Sequence, residues 1–419
     1  MFTKRTSITV DSKDDIPQIE SIIQQQTQMY NVRFLLNGEG AWSDIEFSPK
    51  NKKSPPYQCK IPIALRRVLN GKPSKNRTFQ IFIHFPYTQE KPVIDDYERV
   101  VVLFSGGKDS LACLLYLIEN GVDKNIIELW HHDIDGRYND PSAPLFMDWP
   151  VTTAYCKAVA SHFGLPIYFS WREGGFYREM HREKALTAPV WFEDRDHNLV
   201  LLPTSGGRET NRLMFPQPGH DLKTRWCSSS LKIDVYSRAF RAQERFLDSK
   251  TLVVSGERRE ESPKRAKYQE FEPDRCHTDG PKVKRVAHRW RPVIDWKEKE
   301  VWDLIRRWNI QPHPAYMIGW GRLSCQFCIF GNKNQWRSNQ ELSPKRFKHI
   351  EKKEIQFGTT IHRTKSVKEL AERGRAYKAL SNKYWKRQAL SERWYTPIII
   401  TEDEWRMPAG AFGDSNGPS

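Results

Sequence analysis

Six consecutive residues, Ser105, Gly106, Gly107, Lys108, Asp109 and Ser110, bring together two glycines, two hydroxyls, an ammonium and a carboxylate. The glycines let the backbone turn sharply and present N–H groups, and a helix starting here adds the positive end of its dipole. Lys108 and the hydroxyls complete an anion cradle, so the run reads as a pyrophosphate site. Its spacing is not the G-x-x-x-x-G-K-[ST] of a Walker loop. Far downstream, Cys325 and Cys328 form C-x-x-C, a spacing that lets both sulfurs reach one metal centre. Between them lies SGERREES at 255–262, which read alone is a charged loop after a strand, a solvated face.

These residues need elements to hold them. Residues 100–104 are a continuous apolar run, 111–118 have helical spacing, and Gly121 reads as a helix stop, so the cradle sits between strand and helix. Further strands are expected at 126–130, 167–169 and 252–255, with a helix at 152–163. Strands alternating with helices imply an α/β fold with a Rossmann-like, largely parallel sheet. Residues 1–95 read as a small β-containing accessory module, with short alternating runs at 32–36 and 79–85 and a Lys/Pro loop at 49–57. The sequence divides this module from a core at 96–335 and a basic helical C-terminal part at 336–419, with a frayed tail after Met407.

SGGKDS matches letter for letter the loop of the PP-loop ATP pyrophosphatases, the adenine nucleotide alpha hydrolase-like fold. Together with KTRWCSSSLK at 223–232, SGERREES at 255–262, RPVIDW at 291–296 and PHPAYMIGWGRLSCQFC at 312–328, it resembles the PAPS reductase-like (phosphoadenosine phosphosulfate reductase) branch of that superfamily over residues 99–331. The resemblance implies ATP and Mg²⁺ as cofactors, cleavage between the α and β phosphates, and Lys108 and Asp109 as catalytic residues with Asp109 near the metal. Ser105, Gly106, Gly107 and Ser110 would bind the phosphates. Arg258, Arg259, Glu261 and Ser262 would contribute to nucleotide or substrate binding, with Arg265 nearby. Asp133 and Asp135, at the carboxyl end of the second strand, fall where the family contacts adenosine.

In this branch the Cys227 motif converges on the C-x-x-C, which makes three thiolates available from Cys227, Cys325 and Cys328. Related thiolation proteins, with DndC-type DNA phosphorothioation proteins and tRNA thiolases as the nearest analogies, hold a [4Fe–4S] cluster on three cysteines and leave one iron open for sulfur. The rival is a Zn²⁺ site in which Cys276 or His277 joins the pair. Cys113 reads as a small buried hydrophobe, and Cys59 and Cys156 give no signal.

The expected activity is an ATP-dependent adenylating sulfurtransferase. One alternative is a PAPS or APS reductase using an external thiol, although such reductases carry a nucleophilic cysteine in a C-terminal motif and none follows Cys328. Another is a nucleic-acid-binding component with ATP as structural ligand. The chain has 419 residues, a net charge of +16 and 12% aromatics, too aromatic for a disordered polyelectrolyte. Basic tracts at 281–291, 344–353 and 363–393, with Trp290, Tyr377, Tyr384, Trp385 and Trp394 in or beside them, fit a DNA or tRNA acceptor. They equally fit solvated helix faces with an aromatic stripe in the core. A sulfur donor such as a cysteine desulfurase, protein partners at the N-terminal module, no membrane and a cytoplasmic location complete the expectation.

Overall fold

The computed structural model describes residues 2–9, 16–27, 30–36, 41–49, 57–60, 63–70, 78–85 and 91–413, apart from 205, 220 and 281. Two compact units emerge, Met1–Thr88 and Gln89–Ser419. The first contains β1 (Phe2–Thr9), α1 (Ile16–Thr27), β2 (Tyr30–Leu36), β3 (Trp42–Pro49), β4 (Tyr57–Lys60), α2 (Ile63–Leu69) and β5 (Thr78–Phe85). β1 pairs antiparallel with β5, and β2, β3 and β4 form an antiparallel sheet. Alternation places Val32 and Phe34 of β2 in the core with Ile45. Most of the loop expected at 49–57 lies outside the described residues.

The second unit is built on a sheet whose parallel strands run in the order β8 (Ile167–Arg172), β7 (Ile127–Asp133), β6 (Arg99–Leu103), β11 (Lys250–Val254) and β14 (Lys284–Trp290). β9 (Val190–Glu193) and β10 (Leu199–Leu202) extend one edge antiparallel. β12 (Phe271–Pro273) and β13 (Thr278–Asp279) pair antiparallel with β14. β6 is central because Val100, Val101 and Val102 are wholly buried, which requires cover on both faces. The helices α3 (Lys108–Glu119) and α4 (Thr152–Phe163) cross over toward β7 and β8, whereas β11 adds on the other side of β6. The strand order therefore reverses between β6 and β11, and a crevice opens at their carboxyl ends.

Five further helices follow around the sheet. α5 (Gly175–Met180) follows β8, and α6 (Trp226–Ser228) runs through a π-helical segment, Ser229–Ile233, into α7 (Asp234–Arg241). α8 (Glu298–Arg307) packs on α3, where Arg307 makes two bonds of 2.9 and 2.8 Å to Glu119. α9 (Pro314–Met317) leads to the C-x-x-C turn, after which α10 (Lys333–Leu342), α11 (Pro344–Phe357), α12 (Val367–Glu372) and α13 (Lys383–Ala389) make the C-terminal part mainly helical.

Two expectations need correction. The basic tract at 281–291 is largely strand β14, paired along its length, and Trp290 is core, its ring edge-on to Tyr116. The polar alternation of KRVAHRW hid a strand whose neighbours supply the burial. Residues 408–413 are also anchored rather than frayed, since the Gly410 N–H donates to the Tyr316 carbonyl at 2.8 Å and Trp405 Nε1 donates to the Ile310 carbonyl at 3.0 Å. Residues 414–419 lie outside the described residues.

One glycine fixes the crevice. A Cβ on Gly256, just after β11, would lie 2.7 Å from the backbone of Asp109, so only glycine lets the β11 loop close on the start of α3. Gly256→Ala is expected to cost about 1–3 kcal/mol in denaturant unfolding, as overpacking does. Gly219→Ala, where the added Cβ meets only Thr224 Oγ1 at 3.6 Å, should change little.

Candidate functional site

The loop after β6 is ordered by its own side chains. Gly106 takes φ +76° with the Cys156 thiol 2.9 Å from where a Cβ would be, so the turn excludes any side chain. The Ser110 hydroxyl donates to the Gly107 carbonyl at 3.0 Å and accepts the Ser105 N–H at 3.3 Å. The Ser105 hydroxyl accepts the Gly107 N–H at 3.4 Å. Lys108 then opens α3 with its side chain only 3% exposed.

A buried ammonium at a positive helix end requires counter-charge. Lys108 Nζ lies 3.2 Å from Asp109 Oδ2 and 3.9 Å from Glu298 Oε1. Burial works against its charge, but Asp109, Tyr316 and Glu298 outweigh burial and raise the pKa. Arg258 Nε donates to Asp109 Oδ1 at 2.6 Å and its guanidinium also meets Glu260. Burial opposes ionisation of Asp109, yet Lys108 and Arg258 keep its pKa low. The Tyr316 hydroxyl accepts two backbone bonds, each 3.0 Å, from the N–H of Lys108 and from that of Leu323. One oxygen thus ties the phosphate loop to the chain two residues before Cys325.

Beside the loop, at the carboxyl ends of β6, β7 and β14, lies a cavity of about 660 Å³. Its wall carries Lys232, Lys267, Arg275, Arg289 and Arg291 against Glu257 and Glu272, with Trp130, Tyr236 and Tyr268 as aromatic surface. The arginines are preset. Arg289 is held by Asp274 at 2.9 and 2.6 Å, and Arg291 by Glu257 at 3.2 Å and Glu272 at 2.7 Å. Burial would neutralise Glu257, but Arg291 and Arg289 hold its pKa down to about 2. His131 and His132 also line the cavity, with pKa values depressed by burial to about 4 and about 3. His131 Nδ1 donates to the Phe104 carbonyl at 2.9 Å, which leaves Nε2 as an acceptor. The buried Nε2 atoms of both rings have no partner among the described residues.

The expected site residues divide accordingly. Ser105, Gly106, Gly107, Lys108, Asp109 and Ser110 form the cradle, and Arg258 reaches it. Arg259 turns to Asp295 and the Tyr268 carbonyl, Glu261 to Arg265, and Ser262 accepts the Arg265 N–H at 3.3 Å. None of these three lines the cavity, where Glu257, Lys267 and Tyr268 stand instead. Asp133 and Asp135, expected near adenosine, do not line the cavity and hold the loop after β7. The Asp133 carboxylate accepts the N–H groups of Asp135, Gly136, Arg137 and Tyr138, and Asp135 those of Phe146, Met147 and Asp148. The Met147 carbonyl in turn accepts the Phe327 N–H at 3.0 Å, so Asp135 positions the cysteine turn at one remove.

Cys227, at the start of the π-bulged helix, feels the charge of Cys328, and Cys325 feels those of Cys328 and Cys227. Burial and then Cys328 raise the Cys227 thiol to about 11, against Lys232 and Arg225, which lower it. Cys325 is raised further by burial and by Asp148, again opposed by Lys232. Among the described residues, no three His, Cys, Asp or Glu side chains form a ready metal-ligand group. Among the described residues neither the three-cysteine set nor the zinc alternative is brought together as a metal-ligand group. Cys276 sits in the Trp130–Phe240 core with its thiol 3.9 Å from the Ser237 carbonyl, and His277 Nδ1 accepts the Ala287 N–H at 3.3 Å.

His131, His132, Lys232, Glu257, Arg289, Arg291 and Tyr316 escaped the sequence reading, although all but Arg289 lie within or next to the motif-bearing runs. Asp148, also unexpected, has its pKa raised to about 7 by burial and by Asp135. The folded protein therefore binds this proton more tightly than the unfolded chain, and the resulting stability is lost as pH rises from about 4 to about 7. Asp148→Asn should flatten the fall in melting temperature across that window, and an unchanged profile would contradict the assignment.

No helix among the described residues is long and apolar enough to cross a membrane. Residues 202–330 match the phosphoadenosine phosphosulfate reductase domain, a segment running from β10 through the C-x-x-C turn but not including the phosphate loop. An uncharacterized 37.8 kDa protein of Escherichia phage 186 is 25% identical over 252 residues, covering 56% of this chain and 68% of the phage protein. An adenosine 5'-phosphosulfate reductase of Burkholderia cepacia is 29% identical over 75 residues, 18% of this chain and 27% of that reductase. The matched segment supplies part of the cavity wall and the three cysteines, and residues 202–330 form a PAPS reductase-like domain.

Proposed function

We propose that the chain is an ATP pyrophosphatase that adenylates a nucleic-acid acceptor and delivers sulfur to it through Cys227, Cys325 and Cys328. The observation that carries this reading is Lys232. Its side chain lines the nucleotide-sized cavity, and its charge acts on His131 and His132 on one side and on Cys227 and Cys325 on the other. A nucleotide in that cavity would lie in the same Lys232 field that reaches Cys227 and Cys325.

In this reading the adenine lies in the cavity, where a neutral His131 offers an acceptor to an exocyclic amine. The phosphates cross to Ser105–Ser110, and phosphate oxygens exchange for Asp109 and Glu298 as partners of Lys108. Asp109, freed from one of its two cations, would hold Mg²⁺. An acceptor oxygen attacks the α-phosphorus and the bond to the bridging oxygen breaks, releasing pyrophosphate. Backbone N–H groups and Lys108 stabilise the leaving charge. A hydrosulfide-level sulfur then attacks the adenylated carbon and AMP departs. The three thiols suit a [4Fe–4S] cluster in kind, and when bound it would supply an open iron to carry that sulfur. Burial raises the pKa of Cys227 and Cys325, and Lys232 offsets only part of that, so a bound metal would have to displace their protons. A cysteine desulfurase would be one source of that sulfur.

A sulfonucleotide reductase is the second reading, favoured by the cation-rich cavity and the short match to the Burkholderia cepacia reductase. Sulfite release from a sulfonucleotide without ATP would establish it.

Lys108→Ala should lower pyrophosphate release from ATP about 100-fold or more and leave iron per chain unchanged. Unaltered turnover would remove the loop from the reaction. Cys325→Ser, in anaerobically purified protein, should lose iron and sulfur transfer while retaining pyrophosphate release. Full iron content in that variant would refute the thiolate assignment.

A further inference from the structure

The C-terminal helical part presents one surface that the cavity chemistry does not use. α13 carries Lys383, Tyr384, Lys386 and Arg387, and the turn after it carries Arg393 and Tyr395. Tyr384 is 53% and Tyr395 65% exposed, unusual for aromatic side chains with a core available beside them. Trp385, by contrast, packs on that core, so the helix is anchored and its tyrosines are left outside. The turn is fixed against the helix. The buried Gln388 side chain donates to the Arg393 carbonyl at 2.7 Å and accepts the Tyr395 N–H at 3.2 Å. Tyr384 and Thr396 share a 2.6 Å hydroxyl bond.

The charge of this surface is uncompensated. Lys378, Lys383, Lys386, Arg387 and Arg393 make no ion pair among the described residues, and Glu392, the single carboxylate within residues 378–396, is held by Arg137 at 2.8 Å. The surface also connects to the phosphate loop. Between Arg393 and Tyr395, Trp394 packs edge-on to Tyr155 at 5.0 Å, and Tyr155 lies 3.2 Å from the position of a Gly106 Cβ. The buried Trp394 indole N–H has no partner among the described residues.

We infer that α13 and the 393–396 turn are the landing surface for a single-stranded nucleic acid, with Tyr384 and Tyr395 stacking on unpaired bases and the five cations tracking the phosphates. Exposed rings set in a field of unpaired cations suit splayed bases rather than a closed duplex. The inference rests on the reading that the acceptor is a nucleic acid, and it places that acceptor one ring pair from the loop that holds ATP.

The test is fluorescence anisotropy of the full chain with a labelled single strand, DNA in one series and RNA in another, against the matching duplex and across a salt series. Tyr384→Ala with Tyr395→Ala should weaken single-strand binding at least about tenfold. Arg387→Gln with Arg393→Gln should reduce the slope of log K against log salt by about 1.4. Both double variants should bind ATP as the wild type does, because neither pair lines the cavity. Wild-type strand affinity in the tyrosine variant, preference for the duplex, or no binding of either strand by the wild type would overturn the surface. Failure of the adenylation reading would look different, with strand binding lost alongside the tyrosines but no pyrophosphate released by any form, and that result would leave the surface standing.

Discussion

The Lys108–Asp109–Arg258 charge knot is the constraint on which the rest of this molecule depends. A nearly buried ammonium at the head of α3 is tolerable only with carboxylates beside it, and Asp109 can serve only because Arg258, delivered by the loop after β11, shares its charge. Gly256 permits that loop to approach, and Glu298 brings in α8. The knot therefore joins the two strands that flank the sheet's reversal point.

From the knot, two connections lead toward the cysteines. Tyr316 spans the backbone of Lys108 and of Leu323 with one hydroxyl, so the geometry of the phosphate loop is felt at the C-x-x-C turn. Asp135 organises the 146–148 backbone, which in turn receives Phe327. Lys232 couples the same regions through space rather than through bonds. Asp135 thus positions the cysteine turn through the 146–148 backbone.

Contiguous features were legible in the sequence because local physics determines them. SGGKDS announces its turn and its charge, and the apolar run at 100–104 its burial on both faces. The helix expected at 152–163 is α4 to the residue. The cavity wall was not legible, because it is assembled by register. Arg289 stands on β14, which pairs with β11, itself paired with β6, and this order sets it near residues from β7 that lie far away in the chain. In the charged run at 257–262, adjacent residues face opposite ways, so Glu257 lines the cavity, Arg258 reaches the loop and Arg259 turns outward. Asp133 and Asp135 show how a loop's own backbone competes with a ligand. Their position at a strand's carboxyl end suits a ligand, but the tight loop beyond them needs acceptors for its own N–H groups first.

A crystal structure of the chain with Mg²⁺ and an ATP analogue that cannot be cleaved between its α and β phosphates tests the central claim most directly. The account predicts the purine in the cavity beside His131, the β and γ phosphates on the Ser105–Ser110 loop, and Lys108 Nζ drawn from Asp109 onto phosphate oxygen. An analogue bound away from the cavity, or a Lys108–Asp109–Arg258 knot unchanged beneath a bound nucleotide, would contradict it.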